Sequence, residues 1–101
     1  MNYRKEFPDF DFDIPALPDG FFDTSWHNNV SPSFERKLNE TQSVTLWVDY
    51  SDPDRREYGG CQFLVCIHLT DEMESSEVFL ETDSWDEAIN AINQIFTEAK
   101  Q

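Results

Sequence analysis

Positive charge is what this sequence has least of. Its 101 residues include 7 Lys and Arg against 21 Asp and Glu, which gives a formal net charge of −14. From Glu57 through Ala99 there is no Lys or Arg at all. Direct binding to DNA, RNA or an anionic membrane needs Lys and Arg that replace condensed counterions, so the composition argues against all three. A basic protein surface is the natural complement.

Long apolar runs are also missing. Residues 1–8 contain two bases, but they are followed by alternating Asp and Phe where a signal peptide would have an uninterrupted apolar stretch. No segment approaches the length of a membrane span. We therefore expect a cytoplasmic protein whose two cysteines, Cys61 and Cys66, are reduced.

The few Cys and His residues do not form a recognisable reactive site. Cys61, Cys66, His68 and His27 are ligand types that zinc accepts, but no Cys-x-x-Cys pair exists, and two cysteines five apart in a strand face opposite ways. A nucleophile at Cys66 beside His68 would lack an orienting group and oxyanion donors. We therefore predict no metal, no cofactor and no catalytic residue. An enzyme that uses carboxylates with His27 or His68 is the least favoured functional hypothesis.

The regular part of the chain predicts an α+β fold. Alternating apolar and polar residues indicate strands at 44–50, 61–70 and 77–83. Ser84-Trp85-Asp86-Glu87 has the form of a capping box, and an apolar stripe at helical spacing continues to about residue 99. We predict one domain over 1–101, with a βββα core at 43–101. In it, a three-stranded antiparallel meander carries one C-terminal helix on one face.

Residues 1–42 are predicted to form an irregular arm. Six of the nine Phe lie there, interleaved with prolines that prevent long helices. The sheet face opposite the helix would expose Trp47, Leu64, Cys66 and Phe79, so we expect the arm to cover that face. The alternative is that the face pairs with its copy in a homodimer.

Within the arm, the segment 8–14 alternates strictly between Asp and apolar residues. An extended conformation would place Asp9, Asp11 and Asp13 on one side, about 6.6 Å apart at a rise of about 3.3 Å per residue. Such a row resembles the phosphates along one nucleic-acid strand. The competing explanation is an edge strand whose charges prevent pairing with other chains.

A larger set of acids is predicted to form one ridge on adjacent elements of the C-terminal half. They lie in the turn before the third strand, along that strand, and in the first helical turn. Individual members have ordinary explanations, as solvated strand positions or as acids at a helix N-terminus. As a set without bases they indicate a binding surface. The set is Asp71, Glu72, Glu74, Glu77, Glu81, Asp83, Asp86 and Glu87.

Two functional hypotheses follow. The first is an acidic inhibitor that occupies the nucleic-acid site of a basic protein. It would be a nucleic-acid mimic from a phage or mobile element, directed against a CRISPR effector, restriction enzyme or repair enzyme, or an immunity protein for a nuclease toxin. The second is a housekeeping assembly domain that dimerises through Trp47, Leu64 and Phe79. Trp26 lies in a polar loop segment and joins this second candidate interface, although a Trp in such a loop often plugs the core.

Overall fold

The computed structural model describes residues 2–56, 60–70 and 72–99. The fold is α+β, with one antiparallel sheet and one C-terminal helix. The sheet has five strands in the order β1-β2-β3-β4-β5. The strands are β1 (Phe22–Asp23), β2 (Ser33–Lys37), β3 (Gln42–Val48), β4 (Phe63–Leu69) and β5 (Glu72–Thr82); the helices are α1 (Tyr3–Glu6), a 3-10 turn (Pro53–Arg55) and α2 (Trp85–Ala99).

The two central strands form the part of the sheet that the alternation predicted. Val44, Leu46 and Val48 of β3 stand opposite Ile67, Val65 and Phe63 of β4. The three β3 side chains and Val65 are fully buried. β-branched and aromatic side chains pack well on a pleated surface, and this face forms the centre of the core.

The prediction of three strands is wrong, because the sheet gains β1 and β2 from the part of the chain that we expected to be irregular. β2 carries a single apolar side chain, Phe34, which is buried opposite Leu46. Arg36 lies on the same face and places its guanidinium 4.0 Å from the ring centroid of Phe96. A strand can therefore use the stem of an arginine where the alternation would call for an apolar residue.

β5 begins earlier than predicted, at Glu72 rather than 77. β5 is at the edge of the sheet and pairs only with β4. Its first residues are therefore open to solvent, so polar side chains are tolerated there and the strand extends back to Glu72. Ser75 stabilises this irregular start, since its hydroxyl accepts from Leu69 N at 2.8 Å and donates to the carbonyl oxygen of Glu72 at 2.7 Å. Further along, the register shifts between Val65 and Cys66, which pair with Leu80 and Val78. Phe79 is the extra residue of this bulge.

Helix α2 packs on the predicted face of the sheet. Ala88, Ala91, Ile92 and Ile95 are buried, and Trp85, Ile89 and Phe96 pack beside the core at partial burial. No helix within the described ranges is both long and apolar enough to cross a membrane.

The N-terminal arm folds back onto the sheet, but on the helix side rather than on the opposite face. The ring centroid of Phe12 lies 5.7 Å from that of Phe63, and Phe21 lies 6.2 Å from Phe96 of α2. The sheet leaves room there because one helix does not cover the width of five strands. The expectation that the aromatic part of the arm covers Trp47 and Leu64 is therefore wrong, although residues 30–31 border that face.

This placement predicts an energetic coupling between Phe21 in the arm and Phe96 in α2. In a double-mutant cycle with alanine, the two substitutions should be non-additive by about 0.5–1.5 kcal/mol, because edge-to-face aromatic pairs contribute that much beyond their burial. The free energy of unfolding by urea measures the coupling. The pair Phe21 and Leu64, on opposite sheet faces, should be additive; coupling to Leu64 instead of Phe96 would contradict the observed arm position.

Candidate functional site

The aspartates at 9, 11 and 13 are all exposed, as the alternation predicted, but residues 8–14 form no strand. The intervening apolar side chains pack against the core at partial burial: Phe10, Phe12 and Ile14.

Two of these carboxylates bind the loop that follows β3. Asp9 Oδ2 lies 2.6 Å from Arg55 Nη2. Asp11 accepts the backbone N–H groups of Ser51 and Asp52 at 2.7 and 3.0 Å. Burial opposes ionisation of Asp11, but these amides outweigh it and lower its pKa. These carboxylates attach the arm to the rest of the fold.

Asp13 is also paired within the chain. Its Oδ1 lies 2.8 Å from Arg4 Nη2, and both side chains are largely exposed. Such a surface pair contributes little stability. All three aspartates of the row therefore have internal partners, and none of them is an uncompensated charge in the way that a phosphate mimic requires.

The acids of β5 differ from that row. Glu72, Glu77 and Glu81 are exposed, and no Lys, Arg or His of the described residues lies within ion-pair distance of them. Asp71 lies outside the described residues, and so does the side chain of Glu74. We refer to β5 together with the first turn of α2 as the acidic edge.

Asp83, at the end of this edge, has a structural role. Its Oδ1 accepts the backbone N–H of Gln62 at 2.8 Å and lies 3.3 Å from Arg56 Nη1. The Arg56 side chain is buried, and it also donates to the carbonyl oxygens of Tyr50, Ser51 and Gly60. Asp83 therefore helps to fix the loop between β3 and β4.

The start of α2 is capped by three residues rather than two. Ser84 Oγ accepts from the Glu87 backbone N–H at 3.2 Å, as predicted. The Glu87 carboxylate does not return to the Ser84 amide. It accepts from the hydroxyl of Thr82, and that hydroxyl accepts from Ser84 N at 3.0 Å. Glu87 is thus used by the cap, whereas Asp86 is exposed and has no partner in the described part of the chain.

β5 is the outermost strand of the sheet, so one side of its backbone has no neighbouring strand. Exposed charges on such an edge prevent unwanted pairing with other chains, and this is the ordinary explanation of Glu77 and Glu81. This explanation would hold equally for positive and negative side chains. It does not explain why every charge from Glu72 to Glu98 is negative.

The sheet face away from α2, which we call the back face, carries Trp47 and Leu64 as a cross-strand pair. Phe79 does not join them, contrary to the prediction. The bulge turns it to the helix side, where it lies beside Ile67 and Ile95. Trp26 is exposed in its loop, with its ring centroid 4.3 Å from that of His27. The four residues of the predicted second interface therefore do not form one patch.

His68 is buried on the back face among acceptors. Its Nε2 lies 2.7 Å from Thr45 Oγ1 and 3.3 Å from Glu35 Oε1, and its Nδ1 lies 3.0 Å from the Leu69 carbonyl oxygen. Thr45 is itself only 2% exposed. His27 is at the surface, where its Nδ1 lies 3.0 Å from Glu6 Oε1. Each histidine thus has local partners of its own.

A cleft of about 310 Å³ opens where the back face meets residues 30–31 and 60–62. Trp47 and Leu64 line it together with the carboxylates of Asp49 and Glu81. Burial raises the pKa of Asp49. The sequence analysis did not single out Asp49 as a site residue. Its position within the predicted strand 44–50, on the same face as Trp47, was the available signal.

No protein-family model, curated protein or solved structure matches this chain. Its function is therefore argued from its own residues.

The raised pKa of Asp49 predicts a pH-dependent gain from Asp49→Asn. An acid whose pKa rises on folding destabilises the folded state once the pH exceeds its ordinary value of 3.8. The asparagine variant should therefore be more stable than the parent at pH 7, and its advantage should disappear as the pH falls below that value. Thermal unfolding across this pH range measures the difference. Asp19→Asn, at an exposed turn, should show no such trend; a gain that persists at low pH would contradict the assignment.

Proposed function

We propose that this chain is an acidic inhibitor that binds the basic nucleic-acid-binding surface of a target protein through the acidic edge. The observation that supports it is the uncompensated charge of Glu72, Glu77 and Glu81 on the outermost strand. All three are exposed, so contact with a partner needs no rearrangement of the core.

The position of the charges favours a partner of opposite sign. Charges of one sign on a strand and the adjoining helical turn add their fields, and such a field raises the rate at which a basic surface is encountered. Carboxylates that then pair with Lys or Arg hold the complex in register. An edge that served only to repel other strands would work equally well with lysines.

The arm contributes differently from what the aspartate row suggested. Because Asp9, Asp11 and Asp13 have internal partners, the mimicry rests on the negative field of the edge and not on a phosphate-like spacing. A mobile-element mimic directed against a nuclease or CRISPR effector and an immunity protein for a nuclease toxin would both act in this way. Both would compete with nucleic acid for one basic site.

Charge reversal on the edge tests this proposal. Glu72→Lys with Glu77→Lys is compared with Asp19→Lys with Glu40→Lys, which changes the net charge equally at exposed turns outside β5. The immobilised chain first captures its partner from an extract of the native host. The purified partner is then loaded with fluorescent DNA, and each variant is titrated in at low and high salt.

We expect the parent and the turn variant to displace the DNA at similar concentrations. The edge variant should need at least about tenfold more, which corresponds to about 1.4 kcal/mol of binding free energy. The difference between the edge variant and the turn variant should shrink as salt rises, because screening weakens the attraction of the exposed carboxylates. A captured protein that binds no nucleic acid, or an edge variant as effective as the turn variant, would remove the proposal.

A further inference from the structure

The cleft on the back face combines an apolar wall with two carboxylates. Its volume, about 310 Å³, is near the lower end of ligand pockets, so it suits a single side chain better than a cofactor. Trp47 and Leu64 are partly buried and supply the apolar wall, and Asp49 and Glu81 supply the charge.

Gln62 provides an independent indication of a ligand. This residue also lines the cleft and is only 8% exposed, yet its side-chain Nε2 has no hydrogen-bond acceptor among the described residues. Buried polar groups nearly always have a partner, because an unmade bond costs free energy. The amide nitrogen itself has almost no accessible surface, so a ligand oxygen in the cleft would supply the missing bond once the side-chain amide rotates toward it.

The carboxylates of the cleft call for a cation. No base among the described residues lies within ion-pair distance of Asp49 or Glu81. Arg56 acts on Asp49 only at longer range, and its guanidinium is already bonded to three carbonyl oxygens and to Asp83. Asp11 adds a further negative charge nearby. The burial that raises the pKa of Asp49 is what a bound cation would offset.

We propose that the cleft receives an arginine side chain of the basic partner. The aliphatic part of the arginine lies against Trp47 and Leu64, and its guanidinium faces Asp49 and Glu81. A peptide carbonyl oxygen of the partner accepts from Gln62 Nε2. Arginine fits better than lysine because its planar, weakly hydrated group stacks on an indole and binds carboxylates through several donors. This assignment rests on the proposed function and specifies the partner side chain that the inhibitor would bind.

The test uses two small probes of the same shape: N-acetyl-arginine methylamide and the corresponding citrulline compound, in which a neutral ureido group with a carbonyl oxygen replaces the guanidinium. Each is titrated into the ¹⁵N-labelled full chain while the side-chain amide signal of Gln62 and the indole signal of Trp47 are followed by NMR. Trp47→Phe identifies the indole signal among the three tryptophans. The arginine probe should shift both signals saturably, and the citrulline probe should bind at least about threefold more weakly.

Neutralising one carboxylate separates the cleft from the general field of the edge. Glu81→Gln should weaken the arginine probe by about three- to tenfold, whereas Glu77→Gln, on the same strand but outside the cleft lining, should leave it unchanged. The inference is overturned if neither signal shifts, if both probes bind equally, or if the two variants weaken binding equally.

This outcome is distinguishable from that of the charge-reversal experiment. Loss of DNA displacement on reversing Glu72 and Glu77, with no arginine binding at Gln62 and Trp47, would remove the cleft assignment alone. Arginine binding in the cleft, with a partner unaffected by reversal of the edge, would remove the inhibitor proposal and leave an arginine site.

Discussion

The placement of a few arginines determines how the negative charge of this chain is distributed. All four lie in the first 56 residues, and each is held against the chain itself. Arg4 and Arg55 pair with aspartates of the arm, Arg36 lies over Phe96, and Arg56 is bonded into the loop between β3 and β4. Since residues 57–99 contain neither arginine nor lysine, the negative charges of β5 and of the body of α2 have no base on their own elements.

The same contacts explain why the arm is ordered despite its prolines. Its aromatic side chains fill the helix side of the sheet next to α2, so the arm and the helix share one core. Asp9 and Asp11 then point outward and attach the arm to residues 51–55. A pattern that resembles a row of phosphates is thus explained by the requirements of a chain that must fold back under strong self-repulsion.

Period-two and helical spacing predicted β3, β4 and α2 because these elements bury a regular face. Period-two spacing did not reveal β2, because the aliphatic part of an arginine occupies a position where an apolar residue is expected. It also did not reveal the early part of β5, because this edge strand has a neighbour on one side only and its first residues are polar. It also misplaced Phe79, since a bulge residue reverses the assignment of faces on one side of it: Leu80 keeps its predicted face, whereas Val78 does not. Nothing in the local pattern of the arm indicates which sheet face it covers, because that depends on the width of the sheet relative to one helix.

The candidate site also has a part that the sequence could identify and a part that only the fold reveals. The acids of β5 could be singled out from sequence because the lack of bases is a property of the whole segment. The partners of Asp9 and Asp11 could not, since they lie about 40 positions away. The cleft depends on contacts between strands and loops that only the fold brings together, and Gln62 is notable only once its amide is seen to be buried without an acceptor.

Edge and cleft, if both engage one partner, would affect different steps of association. Exposed carboxylates act over distances comparable to the screening length, so they chiefly set the rate of encounter and its dependence on salt. A side chain that lies in the cleft against Trp47 and Leu64 is shielded from solvent ions, so it chiefly sets the rate of dissociation. A highly charged edge alone would bind many basic surfaces. A small cleft that requires one arginine beside a peptide carbonyl restricts which of them remain bound, and this division gives an acidic protein both speed and selectivity.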